Sequence, residues 1–411
     1  MNFFYNLIVY LSFLFLKVYA FFNKKIKLFV AGRKEIDIKI SVIKNTDKII
    51  WFHVASLGEF EQAVPIIEEV KRSLKTHKIL LTFFSPSGYE IKKNYILADI
   101  ICYLPFDTNQ DVKQFIELVH PEMVVILKYE FWPNLLNQLK RNGIPTILVS
   151  GIFRKDQVFF KPTGKWMRKS LTAFHHFFVQ DEFSKGLLES ISIKNVSMAG
   201  DTRFDRVAKI LEQDNSLPFI EEFKNNQYTV VAGSTWEEGE QFLVNYINQS
   251  SNEKFIIAPH TIHPKSIQKL KDTIQKQAIL YSDKDGKDLS TYDVFILDTI
   301  GLLKKVYSYA DVAYVGGAFK TGLHNILEPA TFGIPIVIGT KYSKFKEAVD
   351  LVELKGCISV NNQIAFSRIF NQLKQDESYR KKIGNINSNY IKKNIGATTL
   401  IMKYINKQLK V

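Results

Sequence analysis

A carboxylate follows an apolar run in the stretch from Trp51 to Glu59. The run leads into a Ser-Leu-Gly turn, and Glu59 stands at the start of the helical pattern that comes next. A glycine at such a turn permits close backbone approach, and the carboxyl edge of a parallel sheet is where α/β proteins bind ligands. Glu59 is therefore placed to act as a general base. The alternative is that it only complements the dipole of the helix.

Two further charged residues lie in the first half of the chain, Glu130 directly after a predicted strand and Arg203 where the first predicted domain closes. Glu130 lies between aromatic residues in Lys128-Tyr-Glu-Phe-Trp-Pro-Asn134, either in a cleft with a raised pKa or in a solvated loop. Arg203 lies in Gly200-Asp-Thr-Arg-Phe-Asp205. It could stabilise a leaving phosphate, or pair with one of its neighbouring aspartates on the surface.

The second half of the chain holds a candidate phosphate loop. After an apolar run that ends at Ala232 come Gly233, Ser234 and Thr235. These residues offer backbone N–H groups and two hydroxyls to an anion at a helix N-terminus. The stretch lacks both the GxxxxGK[ST] pattern and the GxGxxG fingerprint, which argues against a P-loop ATPase.

A richer segment runs from residue 310 to residue 340. An apolar run leads into Gly316 and Gly317, and His324, Asn325 and Glu328 follow. Asn325 can cap a helix whose first turn holds Glu328, where an acid can bind ribose hydroxyls. A capped helix without a ligand would explain Asn325 and Glu328, but it leaves the glycines and His324 without a purpose.

No metal site and no cofactor is predicted. His260 and His263 precede Pro264, and no carboxylate pattern completes a zinc set. Asp283-Lys-Asp285 has the form of a DxD motif, but it lies in a polar Lys/Gly-rich loop, and we interpret it as a chance match.

The elements that must position these residues are strands that alternate with longer helical patterns. The apolar runs form two series, 49–54, 79–84, 100–104, 123–127, 146–149 and 176–179, then 229–232, 255–258, 294–297, 312–315 and 334–338. This alternation is typical of βαβ units. A charge-rich stretch over 211–227 separates the series. We therefore predict an α/β protein with two doubly wound domains, over 35–210 and 225–385, and a helical tail over 386–411 that could cap either domain.

The composition indicates a folded, basic protein. Hydrophobic residues make up 46% of its 411 residues, and 55 Lys and Arg against 41 Asp and Glu give a formal charge of +14. Nucleic acid, acidic lipid and a phosphorylated substrate all fit that charge. The two cysteines, Cys102 and Cys357, lie far apart in apolar stretches, which excludes a disulfide framework and predicts core positions for both.

The first 23 residues form an apolar segment that only Lys17 interrupts, and a basic cluster over 24–34 follows it. A length of about 20 residues just reaches that of a membrane-spanning helix. The positive-inside rule then places the rest of the chain in the cytoplasm. We expect an uncleaved membrane anchor over residues 1–23. The alternatives are a cleaved signal peptide ending at Ala20 and an amphipathic helix that lies on the membrane surface.

Five motifs together resemble a known family. They are Ala55-Ser-Leu-Gly-Glu59, Glu130-Phe-Trp-Pro-Asn134, Gly200-Asp-Thr-Arg-Phe-Asp205, Ala232-Gly-Ser-Thr235 and His324-Asn-Ile-Leu-Glu-Pro-Ala330. In this order they resemble the Kdo (3-deoxy-D-manno-octulosonic acid) transferases of lipopolysaccharide synthesis. The resemblance implies a GT-B fold, two Rossmann-like domains with a cleft between them. It also implies transfer of Kdo from CMP-Kdo to the lipid A precursor, lipid IVA, at the cytoplasmic face of the inner membrane.

The resemblance also implies roles for individual residues. Glu59 matches the catalytic base, and Glu130 and Arg203 match transition-state stabilisers. The positions that match CMP-binding segments are Pro259, His260, Ile300, Gly301, Leu302, Asn325, Ile326, Leu327 and Glu328. The sequence departs from the family at His260, usually Arg, at Arg203, usually Lys, and at Ile300-Gly301-Leu302, usually a Met-Gly-Glu-like triplet.

Two alternatives come from other substrate or functional classes. A transferase of the same fold could use a different nucleotide sugar. A basic nucleic-acid-binding protein is the second, but the lysines are spread along the chain and the aromatic residues lie mostly in apolar runs. We therefore expect a donor nucleotide, a lipid acceptor and a membrane as partners, and no nucleic acid.

Overall fold

The computed structural model describes residues 2–320 and 322–410 of the chain. Its fourteen described strands are β1 Lys48–Val54, β2 His77–Phe83, β3 Ile100–Tyr103, β4 Met123–Leu127, β5 Thr146–Gly151, β6 His176–Val179, β7 Val196–Met198, β8 Thr229–Thr235, β9 Lys254–Pro259, β10 Ala278–Leu280, β11 Val294–Ile296, β12 Val312–Val315, β13 Ile336–Ile338 and β14 Cys357–Ser359. They form two parallel sheets of seven strands each.

Helices follow most strands, as the βαβ interpretation predicted. The described α-helices are α1 Asn2–Tyr19, α2 Lys24–Arg33, α3 Ile36–Ile40, α4 Leu57–Ser73, α5 Pro86–Lys92, α6 Asn109–Val119, α7 Pro133–Arg141, α8 Lys165–Leu171, α9 Glu182–Ser190, α10 Arg203–Ala208, α11 Pro218–Lys224, α12 Glu237–Gln249, α13 Pro264–Thr273, α14 Leu303–Val306, α15 Leu327–Thr331, α16 Lys346–Glu353, α17 Gln363–Gln375, α18 Glu377–Asn394 and α19 Ala397–Leu409.

The chain divides into two compact units. The first unit comprises Met1–Arg206 with Ile395–Val411, and the second comprises Val207–Asn394. The sheet of the first unit has the order β3-β2-β1-β4-β5-β6-β7, and that of the second has the order β10-β11-β9-β8-β12-β13-β14. Each order reverses direction once, between β1 and β4 in the first unit and between β8 and β12 in the second. Such switch points are where open α/β sheets bind ligands.

The central strands read as continuous apolar runs because helices cover both faces of each sheet. All five residues of β4 are buried, and so are six of the seven in β1. Strands with both faces buried have no polar face to alternate with. Both cysteines are buried, as predicted. Burial raises the pKa of the Cys102 thiol to about 12.

The C-terminal segment differs from the single tail predicted over 386–411. Helix α18 belongs to the second unit, whereas α19 belongs to the first. The chain turns at Gly396, whose φ of +115° lies in the left-handed region that favours glycine. Ile401 and Ile405 then lie in the core of the first unit, which explains why this amphipathic helix packs there.

Helix α1 is held on the first unit by polar contacts near its start. The Tyr5 hydroxyl donates to Asp107 Oδ2 over 2.6 Å, and Asn134 Nδ2 donates to Asn6 Oδ1 over 2.7 Å. Its other face is apolar and exposed, including Ile8 and Phe15. Among the described residues, we find no helix with both the length and the apolar character that a membrane crossing requires. The predicted membrane anchor therefore gains no support here.

Candidate active site

Glu59 lies in the first turn of α4, directly after the carboxyl end of β1. Its carboxylate accepts a hydrogen bond from the backbone N–H of Ala55, and Glu59 as a whole is only 9% exposed. Burial raises the pKa of Glu59, and the charge of Glu130 raises it further, whereas the Ala55 N–H lowers it. A buried carboxylate with a raised pKa is better suited to act as a general base than a surface acid that only complements the helix dipole.

Glu130 lies just after β4, the strand next to β1, and aromatic and imidazole groups surround it. Its Oε2 accepts a hydrogen bond from Trp132 Nε1 at 2.8 Å and lies 3.2 Å from His53 Nε2. The Glu130 side chain is 12% exposed. Of the two interpretations of the sequence, the structure therefore favours a sheltered carboxylate over a solvated loop acid.

His53 connects this carboxylate to the interior of the sheet. Its ring is fully buried, and Nδ1 lies 2.8 Å from the hydroxyl of Thr82, its register partner on β2. The same hydroxyl accepts a hydrogen bond from Trp51 Nε1. This buried network fixes the His53 ring, and the ring in turn orients Glu130.

Arg203 begins α10 and forms an ion pair with Asp201. Arg203 Nε donates to Asp201 Oδ2 over 2.8 Å, so the pairing that the sequence offered as an alternative is present. Asp201 also accepts from Gln62 Nε2 at 3.0 Å, and the Thr202 hydroxyl donates to the Gln62 carbonyl at 2.6 Å. These bonds fix residues 201–203 against α4, one turn beyond Glu59.

The structure thus brings the three predicted catalytic residues to one edge of one sheet. Glu59 and Glu130 flank the switch point between β1 and β4. Arg203 is tied to the helix that carries Glu59. A base, a second carboxylate and a guanidinium at one sheet edge can take a proton from a hydroxyl and stabilise charge that develops beside it.

The predicted nucleotide-binding segments lie at the carboxyl edge of the second sheet. Pro259 ends β9 and His260 follows it, residues 300–302 come between β11 and α14, and residues 325–328 come between β12 and the first turn of α15. A cavity of 710 Å³ opens beside Pro259 and Trp236, between α12 and α13. The parallel topology therefore gathers segments that are far apart in the sequence.

Asn325 and Glu328 interact as a capped turn. Asn325 Oδ1 accepts from the Leu327 N–H at 3.1 Å, and Asn325 Nδ2 donates to Glu328 Oε1 at 3.1 Å. Leu327 and Ile326 are buried beneath them. Gly301 has a φ of +93°, which places a left-handed turn between Ile300 and Leu302.

The residues of the candidate phosphate loop belong to a strand, whereas the sequence predicted that they follow one. Gly233, Ser234 and Thr235 are the last residues of β8, because Gly233 still pairs with Ala258 on β9 and a bulge follows it. Ser234 has a left-handed φ of +51°. The Thr235 hydroxyl donates to Glu240 at 2.6 Å, and three glutamates occupy the first turn of α12. Their negative charge disfavours a phosphate at this N-terminus.

The residues that support the candidate catalytic groups were not predicted from the sequence. His53 and Thr82 lie inside apolar runs of the sequence. A polar residue within a predicted buried strand was the signal that could have identified each of them. Trp236 directly follows the candidate phosphate loop, and neither Trp236 nor His324 was given a role from the sequence. Among residues 2–320 and 322–410, we find no group of three His, Cys, Asp or Glu side chains placed to hold a metal ion.

Comparison with known proteins agrees with the motifs. The sequence profile of the 3-deoxy-D-manno-octulosonic-acid transferases matches residues 31–206, the region that carries the three predicted catalytic residues. The chain is 29% identical to the 3-deoxy-D-manno-octulosonic acid transferase of Aquifex aeolicus, over 76% of this chain and 82% of that protein. It is 24% identical to that of Haemophilus influenzae, over 88% and 87%. The chain is therefore similar to the Kdo transferases over most of its length. This similarity identifies the chain as a glycosyltransferase.

Solved structures share the fold of this chain. The UDP-GlcNAc 2-epimerase of Neisseria meningitidis, solved with UDP-GlcNAc, matches with a TM-score of 0.60 and 16% identity, over 88% of this chain and all of that one. Acinetobacter baumannii MurG matches with a TM-score of 0.54 and 10% identity, over 88% and 99%. At these identities the likeness concerns the fold alone, and it supports the GT-B assignment.

Proposed function

We propose that this protein is a Kdo transferase, which transfers Kdo from CMP-Kdo to lipid IVA, the lipid A precursor, with inversion at the anomeric carbon. The observation that carries the proposal is the buried Glu59 at the switch point of the first sheet, with its raised pKa and with Glu130 on the neighbouring strand. The names of its relatives support Kdo as the transferred sugar.

In the proposed reaction, Glu59 removes the proton from an acceptor sugar hydroxyl. The oxygen of that hydroxyl attacks the anomeric carbon of Kdo as the bond to the CMP phosphate breaks. A carboxylate that holds a proton more tightly than usual is a stronger base once it is ionised. The donor would be bound by Pro259, His260, residues 300–302 and residues 325–328, with Glu328 on the ribose.

Glu130 and Arg203 are the proposed transition-state stabilisers. Glu130 is oriented by Trp132 and His53. Arg203 keeps its guanidinium in a fixed position through Asp201, and such preorganised charges need no rearrangement as the reaction proceeds.

We also propose that the protein acts at the cytoplasmic face of the inner membrane. The exposed apolar face of α1 and the lysines at the start of α2 support this location, because an amphipathic segment with adjacent basic residues binds anionic lipid. A lipid-borne acceptor would then meet the enzyme where it resides.

Substitution of Glu59 by Gln tests the role of the base. Gln retains a carbonyl oxygen for the Ala55 N–H but cannot accept the proton, so kcat should fall by about 10²- to 10⁴-fold while CMP binding persists. Steady-state transfer assays and calorimetric titration with CMP would measure the two effects. Glu69→Gln, the same change on the partly exposed side of α4, is the matched control. Wild-type turnover in Glu59→Gln would refute the assignment.

A further inference from the structure

Three aromatic rings pack together at the carboxyl edge of the second sheet. Trp236 follows β8, His260 follows β9 and His324 lies between β12 and α15. The centroid of the His260 ring lies 4.7 Å from that of Trp236, with an interplanar angle of 24°, and 4.3 Å from that of His324, with an angle of 28°. β8 lies between β9 and β12 in the sheet, so three neighbouring strand ends contribute one ring each.

A hydrogen bond fixes the tautomer of His324. Trp236 Nε1 lies 2.8 Å from His324 Nε2, and an indole N–H can only donate. His324 Nε2 is therefore an acceptor, and the proton of the neutral ring is on Nδ1. Burial lowers the pKa of His324, and the charge of His260 lowers it to a smaller extent, so that the pKa is about 4. The ring is therefore neutral at physiological pH.

The backbone orients this ring. The His324 N–H donates to the Gly316 carbonyl at 3.2 Å, and a Cβ at Gly317 would come within 2.9 Å of His324 Cδ2. Gly317 also has a left-handed φ of +91°. The Cδ2–Nε2 edge of the ring thus faces Gly317 and Trp236, and the Nδ1–H lies on the opposite edge. In the described part of the chain, no residue accepts a hydrogen bond from it.

We propose that His324 is a donor-binding residue whose Nδ1–H bonds an anionic oxygen of the nucleotide sugar, and that Trp236 is the positioning residue that holds His324 in that tautomer. The inference rests on the proposed function and adds a contact to it. Without the Trp236 N–H, either nitrogen of a neutral His324 could carry the proton, and a lone pair on Nδ1 would repel the anion. The anion is either the CMP phosphate or the sugar carboxylate, which share this chemistry.

Phenylalanine substitutions separate stacking from hydrogen bonding. His324→Phe keeps a ring against His260 but removes the Nδ1–H, so CMP should bind about ten-fold more weakly if the phosphate is the partner. Cytidine, which lacks the phosphate, should bind as it does to the wild type. If the sugar carboxylate is the partner, only freshly prepared CMP-Kdo should lose affinity. In transfer assays the loss should appear as a higher donor KM with kcat little changed.

Trp236→Phe keeps the stacked ring and removes only the N–H donor. Two-dimensional ¹H–¹⁵N spectra of the histidine rings should show the Nδ1–H tautomer in the wild type and its loss in this variant, together with weaker binding of the same ligand. His263→Phe, on an exposed histidine outside the stack, should change neither the affinity nor the ring signals of His324.

The outcomes distinguish the inference from the proposed function. Wild-type affinity of His324→Phe for CMP and for CMP-Kdo would overturn the inference and leave the donor assignment intact. Equal weakening of cytidine and CMP would also overturn it, because it would indicate a structural role. A wild-type protein that binds neither CMP nor CMP-Kdo would contradict the proposed donor and this inference together.

Discussion

At the scale of single residues, the candidate site depends on how buried polar groups are paired. His53 lies between Thr82 and Glu130, and Trp132 gives Glu130 a second donor. A buried carboxylate is costly unless hydrogen bonds compensate its lost hydration. These donors therefore stabilise Glu130 and also determine where its charge lies.

Trp132→Phe should slow transfer without weakening donor binding. Phe retains the stacking contact with Phe84, whose ring centroid lies 4.8 Å away, but it removes the N–H donor to Glu130. Loss of one hydrogen bond to a charged group should reduce kcat by about ten-fold. Steady-state kinetics would measure this, with Trp166→Phe as the control in the same unit. Unchanged kcat would show that the Trp132 bond does not position Glu130 for catalysis.

The order of the motifs was sufficient to select Glu59, Glu130 and Arg203 as candidates, because motif order can be read from the sequence alone. The partners of Glu130 could not be predicted in the same way. His53 and Thr82 are 29 positions apart and become neighbours only through the register of β1 with β2. Pairing of this kind depends on tertiary structure, which periodicity does not encode.

At the scale of elements, Asp205 caps the start of the C-terminal helix α19, although it lies about 190 residues earlier in the chain. Both carboxylate oxygens of Asp205 accept hydrogen bonds at the start of α19, from the N–H groups of Gly396 and Thr398 and from the Thr398 hydroxyl. The cap satisfies N–H groups that the first turn of a helix leaves without partners.

Asp205→Ala should destabilise the first unit. Removing a capping side chain costs about 1–2 kcal/mol, so the urea midpoint should fall. Circular dichroism of the full chain would follow the transition. Asp285→Ala, in a polar loop where the side chain is 89% exposed, should leave the midpoint unchanged. An equal midpoint for Asp205→Ala and the wild type would mean that α19 is held by its apolar face alone.

The predicted strands were confirmed wherever a long apolar run marked them. Three strands were missed, β7, β10 and β14, and each has three residues of which only one is buried. The docking site of α19 was left open because an amphipathic pattern shows that a helix has an apolar face and not which core that face joins.

At the scale of the whole molecule, the net charge of +14 and the exposed apolar face of α1 both suit an anionic membrane surface. The next basic residues along the chain after that helix are Lys24, Lys25 and Lys27, in the first turn of α2. We expect these charges and the apolar face to act together.

The triple substitution of Lys24, Lys25 and Lys27 by Gln should weaken binding to anionic vesicles. At about 1 kcal/mol for each lysine, the partition coefficient should fall by about a hundred-fold, and less at high salt. Sedimentation with vesicles of mixed anionic and zwitterionic phospholipid would measure it. Gln at Lys382, Lys392 and Lys393, exposed on α18, gives the same change in charge elsewhere. Equal losses in both variants would contradict a local membrane contact at α2.

Transfer by the purified enzyme tests the central claim most directly. Freshly prepared CMP-Kdo and a panel of other nucleotide sugars would be offered with lipid IVA, and mass spectrometry would identify each product and count the sugars added. The account predicts that only CMP-Kdo yields a product, heavier than lipid IVA by one or more Kdo residues. Transfer from a different nucleotide sugar, with none from CMP-Kdo, would contradict it.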